Sequence, residues 1–266
     1  MNILEEIAAY KIKEVQENKD LYPVKLLERS IFFKTPCVSL KNYLNRKDKV
    51  GIIAEIKKKS PSKGIINKYA NIEKVSIGYM QAGASALSVL TDEKYFGGKN
   101  EDLTTARKYN YCPILRKDFT VDEYQVLEAK SIGADVILLI AAILTKEKIQ
   151  ELTKLAHSLG LQVILEVHDE DELEKINSDV DVIGINNRSL KTMVTDVEQS
   201  FHLSDKIPEE FLKISESGLK NADTLIKLKK AGFNGFLIGE FFMQQSNPQK
   251  ACAQLIAEVE KQNHVN

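Results

Sequence analysis

From about residue 50 onward the sequence repeats one pattern eight times: a short, nearly continuous apolar run, then a longer stretch with helical periodicity. The runs are VGIIAEI (50–56), ALSVL (86–90), PILRKD (113–118), ADVILLI (134–140), LQVILEV (161–167), DVIGIN (181–186), FLKISES (211–217) and GFLIG (235–239). β-Branched runs without polar alternation fit parallel strands covered on both faces. Segments such as 121–134, 146–160 and 221–235 read as helices, and Gly133, Gly160 and Gly232 stop them just before the next strand. Eight such units with no break in composition predict one closed α/β barrel, a (β/α)8 TIM barrel, rather than an open sheet. A doubly wound fold would open with a glycine-rich turn after its first strand, and the sequence has none there.

The barrel is expected over residues 50–266 as a single catalytic domain, preceded by an N-terminal helical extension, 1–49, that packs on it. In the extension, residues 3–17 (ILEEIAAYKIKEVQE) predict an amphipathic helix with Ile3, Ile7, Tyr10 and Val15 on one stripe. A second short helix is expected near 39–47, after Pro36. A brace for the barrel and a lid over its active-site end both fit this pattern.

Composition narrows the function. Of 266 residues, 37 are Lys or Arg and 38 are Asp or Glu, a net charge of −1. That balance argues against a nucleic-acid-binding protein, which needs an excess of cations to replace phosphate counterions. A hydrophobic fraction of 43% is globular rather than disordered. Cys37, Cys112 and Cys252 lie far apart, a poor disulfide framework and a poor zinc site, and read as free thiols. The opening MNILEEIAAYKIKEV has acids where a secretory leader needs bases, and the longest apolar run, Val136 to Leu144, is about half a membrane span. A cytoplasmic protein is expected, with no membrane contact.

In a barrel the chemistry belongs at the C-terminal ends of the strands. Strand 1 ends with Glu55 and Lys57, strand 3 with Lys117 and strand 5 with Glu166. Strand 6 runs into Asn186, Asn187 and Arg188, and strand 7 ends with Glu216, Ser217 and Gly218. Each charge alone fits a structural ion pair. Two lysines and three glutamates converging on one rim point instead to acid–base work on a small anionic substrate. Glu55 and Lys57 are expected to pair, fixing the ammonium. A metal site fits less well, because only Glu166 and His168 offer ligand spacing and the lysines would repel a dication. His168 reads as loop structure; His157, His202 and His264 read as surface residues.

Gly218 after strand 7 and Gly239 after strand 8 stand where phosphate-binding barrels aim backbone N–H groups at a dianion. The loop KKKSPSKG (57–64) adds Ser60, Lys63 and Gly64, which could close over the same anion.

At these residues the sequence resembles the indole-3-glycerol phosphate synthase family, over essentially its whole length. AEIKKKSPSKG (54–64), LTDEKYFGG (90–98), PILRKDF (113–119), LEVH (165–168), IGINNRSL (183–190) and SESG (215–218) fall in the family's order. The resemblance implies an enzyme of tryptophan biosynthesis that turns 1-(2-carboxyphenylamino)-1-deoxyribulose 5-phosphate into indole-3-glycerol phosphate. CO2 and water are lost, and no cofactor or metal is used. It implies Lys117 as general acid on the ribulose carbonyl, Lys57 as the binder of the departing carboxylate, and Glu166 as the proton acceptor and donor of the later steps. Glu55 and Glu216 would orient the lysines and bind sugar hydroxyls, and Asn186 and Arg188 would position the substrate. Ser60, Ser217, Gly218, Gly239 and Glu240 match phosphate-contacting positions; Phe96, Pro61 and Leu138 match the walls around the anthranilate ring. A carboxylate repels a phosphate, so the Glu240 side chain is expected to turn away and leave only its N–H in use.

The division of labour among Lys57, Lys117 and Glu166 stays open in the sequence. So do three other readings: a sugar-phosphate isomerase, a Schiff-base aldolase using Lys117, and a barrel without activity. The isomerases use Asp or Cys at particular strand ends, where this chain has Glu55 and Lys57, and Cys112 precedes strand 3 at the opposite rim. A monomer acting on a phosphorylated small molecule is the expectation.

Overall fold

A computed structural model describes residues 3–189 and 192–263 of the chain; His264 and the Leu190 that ends the IGINNRSL motif lie outside them. Eight strands form a closed, all-parallel barrel: β1 (Ile52–Ile56), β2 (Ala86–Leu90), β3 (Ile114–Lys117), β4 (Val136–Ile140), β5 (Gln162–Val167), β6 (Val182–Asn186), β7 (Leu212–Glu216) and β8 (Gly235–Ile238). They run β1-β8-β7-β6-β5-β4-β3-β2 around the ring. Each predicted run contains its strand, trimmed by one or two residues where the chain enters or leaves a turn.

Helices α1 (Ile3–Leu21), α2 (Val24–Leu27) and α3 (Leu40–Leu44) precede the barrel. Around it lie α4 (Ile72–Gln81), α5 (Glu93–Phe96), α6 (Asn100–Tyr109), α7 (Glu123–Ser131), α8 (Lys146–Ser158), α9 (Glu198–Ser204), α10 (Ala222–Lys230), α11 (Glu240–Met243) and α12 (Pro248–Asn263). Local chemistry sets their ends. Asp122 and Gln125 form a capping box on α7, while Thr145 and Asn221 cap α8 and α10 through their side chains. Between β5 and β6 the crossover is no helix but a 3₁₀ segment, Asp171–Lys175.

The barrel interior is filled by Ile53, Ala86, Leu115, Val136, Leu138, Ile164, Val182, Ile214 and Leu237, with Leu40 and Leu44 of α3 in the same cluster. The Lys41 backbone N–H donates to the Gln162 side chain at the entrance of β5, so α3 closes the floor of the barrel. At the other end Ile3, Leu4 and Ile7 of α1 line the mouth. The buried stripe of α1 differs from the predicted one: it is Leu4, Ile7, Lys11 and Val15, without Ile3 or Tyr10. Ile3 is half-buried at the mouth, and Tyr10 lies edge-on to Tyr95 with the Lys94 ammonium 4.0 Å from its ring centre.

Lys11 is the surprise of that stripe. It is 1% exposed, and its ammonium meets Asp92 at 2.9 Å, Asp118 at 3.0 Å and Glu14 at 2.5 Å. Asp118 follows β3 directly and accepts from Thr91 at 2.5 Å, while Asp92 caps α5 by accepting the Tyr95 and Phe96 N–H groups. One buried cation therefore ties α1 to the end of β3 and to the short helix that presents Phe96.

Candidate active site

Parallel register brings the charges to one rim. Leu90 pairs with Lys117, Ile140 with Glu166, and Asn186 with Glu216, each at or next to a strand's C-terminal end. Above them opens a cavity of about 950 Å³. Its lining includes Glu55, Lys57, Ser60, Pro61, Lys63, Phe96, Lys117, Leu138, Glu166, Asn186, Arg188, Glu216, Ser217, Gly218, Gly239 and Glu240; Gly64 and Asn187 lie outside it, Asn187 buried against Ser200 and Ser215.

Two lysine–carboxylate clusters face each other across it. Lys57 Nζ lies 2.6 Å from Glu55 Oε1. Lys117 Nζ lies 2.6 Å from Glu166 Oε2 and 2.9 Å from Glu216 Oε2. Two glycines make room for this crowding. A Cβ on Gly184 would stand 2.4 Å from Glu216 Oε1, and one on Gly239 would stand 2.3 Å from Glu55 Oε1. Gly184 escaped the sequence reading because it sits inside the apolar run of β6.

Burial opposes the charge on Lys117, but the carboxylates of Glu166, Glu216 and Glu55 outweigh it and hold the ammonium well above its ordinary range. Burial would also raise Glu166, yet Lys117 and then His168 draw its carboxyl well below the usual value. Glu216 goes the other way: burial and the neighbouring Glu166 and Glu55 push it up to about 7 despite Lys117. The two carboxylates on one lysine are thus split into a base and a carboxyl that still carries a proton near neutrality, the pattern of an acid–base pair. Glu216 Oε1 is buried without a hydrogen-bond partner, a group left for a ligand to satisfy.

The apolar wall is built from Phe96 and Phe119, ring centres 5.9 Å apart, with Leu138 from inside the barrel. Ser60 lies in a two-residue hairpin, Lys59–Ser60 against Gly64–Ile65, and accepts the Lys63 N–H at 3.3 Å. After β7 the chain turns through two successive left-handed residues, Ser217 at φ 70° and Gly218 at φ 77°; strain at a serine is a mark of functional turns. After β8, Gly239 leads into α11.

The Glu240 carboxylate lies 3.4 Å from Arg188 and 3.8 Å from Lys63; Arg188 also donates to Ser62. His168, read from sequence as loop structure, is buried against Glu166 and Glu172. His157 and His202 are exposed, at ion-pair distance from Asp181 and Glu170. Lys11, Asp92 and Asp118 also went unrecognised; a lysine falling on the apolar stripe of α1 was the signal for the first.

The family profile described as indole-3-glycerol phosphate synthase matches residues 4–255. An indole-3-glycerol phosphate synthase of Bacteroides thetaiotaomicron is 50% identical over 247 residues, covering 93% of this chain and 95% of its own. One of Campylobacter fetus is 43% identical over 257 residues, covering 96% of this chain and 100% of its own. Among solved structures, a mutant tryptophan synthase alpha-subunit of Pyrococcus furiosus superposes with a TM-score of 0.60 at 15% identity, covering 80% of this chain and 98% of that one. At that identity the likeness is one of fold alone.

Proposed function

Because the chain belongs to the indole-3-glycerol phosphate synthase family, we propose that its two facing lysine–carboxylate clusters divide between them the proton transfers of indole ring closure. The activity is that of a lyase of tryptophan biosynthesis. It converts 1-(2-carboxyphenylamino)-1-deoxyribulose 5-phosphate into indole-3-glycerol phosphate, CO2 and water.

The observation that carries the division of roles is the placement of Lys117 between Glu166 and Glu216. In the first step the ring carbon bearing the carboxylate attacks the ribulose carbonyl, and the carbonyl oxygen becomes an alkoxide. Lys117, held cationic, gives that oxygen a proton, an alkoxide being a far stronger base than an amine. Lys57, fixed by Glu55, holds the carboxylate that then leaves as CO2, returning its electrons to the ring system. In the dehydration Glu166 takes the proton from the carbon beside the ring nitrogen and gives it to the new hydroxyl, which departs as water while the carbon–carbon double bond forms. Glu216, protonated near neutrality, binds sugar hydroxyls and supports the departure. Phe96, Pro61 and Leu138 pack on the aromatic ring and exclude water. Asn186 and Arg188 position the substrate, and Ser60, Ser217, Gly218, Gly239 and the Glu240 N–H take the phosphate. The incoming phosphate competes with Glu240 for Arg188.

Residues 1–49 serve as the extension and 50–266 as the catalytic barrel. A monomer acting on a phosphorylated small molecule is the working unit in this reading. Three free cysteines support a cytoplasmic setting; among the described residues no helix is long and apolar enough to cross a membrane.

For Glu166→Gln, turnover is expected to fall about 10²-fold or more, with the loss in the later steps. Rapid quenching during a single turnover should then trap a ring-closed species that wild type does not accumulate. Unreacted substrate alone in the quenched mixture assigns Glu166 to ring closure and removes it from the later steps.

A further inference from the structure

Glu166 is held from two sides. Its Oε2 takes the Lys117 ammonium at 2.6 Å, and its Oε1 stands 3.2 Å from His168 Nε2. His168 follows β5 directly and is 9% exposed. Its Nδ1 lies 3.4 Å from Glu172 Oε2, and that same oxygen accepts the His168 backbone N–H at 2.7 Å. Glu172 belongs to the 3₁₀ segment that replaces a barrel helix, so the irregular crossover after β5 is what brings a second carboxylate to the ring. Gln199 of α9 donates to the His168 carbonyl at 2.8 Å and holds the backbone from the other side.

A neutral imidazole has one N–H and one lone pair, and the lone pair would face a carboxylate. The charged ring instead stands at ion-pair distance from both carboxylates, although neither nitrogen makes a hydrogen bond in this geometry. Burial opposes that charge, but Glu166 and Glu172 outweigh it and lift His168 to about 9. The ring is therefore a fixed cation through the neutral range rather than a switch.

We propose that His168 is a positioning residue for the ring-closure reaction: as an imidazolium clamped between Glu166 and Glu172, it fixes one Glu166 oxygen, leaves the other to Lys117, and keeps that carboxylate in its basic form. The proposal rests on reading Glu166 as the proton acceptor. The charged groups facing Glu166 are Lys117 from β3, Glu216 from β7 with Glu55 from β1 behind it, and His168 at the end of its own strand. Those facing His168 are Glu166 and Glu172. Without the imidazolium, Lys117 alone must offset the Glu166–Glu216 pair, and the proton carried by Glu216 is shared with Glu166.

The test is the pH profile of kcat for His168→Asn, with Glu166→Gln alongside. Losing a neighbouring cation makes a carboxylate easier to protonate, so the acidic limb should move up by about one pH unit. The rate loss should therefore be largest, up to about tenfold, at the acid end of the profile and shrink towards wild type as the pH rises through the limb. A uniform loss with the limb unmoved overturns the proposal while Glu166→Gln is inactive; a Glu166→Gln enzyme near wild-type rate instead overturns the reading of Glu166 itself. Should His168→Asn fail to fold, 15N-histidine NMR decides. In the wild type at pH 7.5, His168 should be protonated on both nitrogens, and in Glu172→Gln this should be lost at a lower pH; a neutral ring in the wild type contradicts the clamp.

Discussion

Lys117→Ala is expected to lower kcat by about 10²- to 10⁴-fold, the range general acid catalysis supplies, with only a modest rise in KM. Two losses coincide in this variant. The proposed proton donor for the developing alkoxide is gone, and Glu166 and Glu216, both in contact with Lys117 in the wild type, are left without the cation between them. With the cation gone, nothing keeps the proton carried by Glu216 from being shared with Glu166, so less of the base stays ionised. Binding is expected to survive because the contacts proposed for the phosphate and the ring, the turns after β7 and β8 and the Phe96 wall, are left intact. Lys117→Arg should restore little, since a guanidinium keeps the charge but does not give up its proton at neutral pH. Steady-state kinetics of the two variants decides this, and activity within about threefold of wild type in Lys117→Ala would remove the lysine from the chemistry.

The second large effect is on stability. Lys11→Met should cost about 3–5 kcal/mol, because it leaves Asp92 and Asp118 buried with their shared cation removed. At about 2–4 °C per kcal/mol for a domain of this size, Tm falls by roughly 6–20 °C. Burial opposes the charge of Lys11, but Asp118, Asp92 and Glu14 outweigh it and hold the ammonium above its ordinary range. The geometry makes α1 a brace as well as part of the mouth: Ile3, Leu4 and Ile7 line the cavity one and two turns before the lysine that anchors the helix. Thermal unfolding followed by circular dichroism tests it. A Tm within about 2 °C of wild type would mean that the cluster contributes nothing net, and Lys11→Arg keeping most of the stability would confirm that charge rather than shape is what counts.

Much of this architecture is written in the chain at short range. The apolar runs mark the barrel strands because parallel strands are covered on both faces, and the charges Glu55, Lys117, Glu166 and Glu216 stand out because each interrupts or ends such a run. What stayed hidden depends on contacts between residues distant in sequence. Lys11 falls on the apolar stripe of α1, but its partners Asp92 and Asp118 are reached only when α1 lies over the end of β3. His168 reads as a loop residue until the 3₁₀ segment folds Glu172 back onto it. Gly184 passes for an ordinary strand residue until Glu216 reaches across from β7. The short crossover after β5 has no periodicity of its own, so its form follows from the ion pair it makes.

The account stands or falls on the reaction at the cavity. Purified protein should be incubated with 1-(2-carboxyphenylamino)-1-deoxyribulose 5-phosphate, following indole fluorescence and released CO2 together. One CO2 and one indole-3-glycerol phosphate per substrate consumed, with no added metal or cofactor, is the predicted result. Isomerised substrate with no CO2 released, or a borohydride-trapped adduct on Lys117, would contradict it.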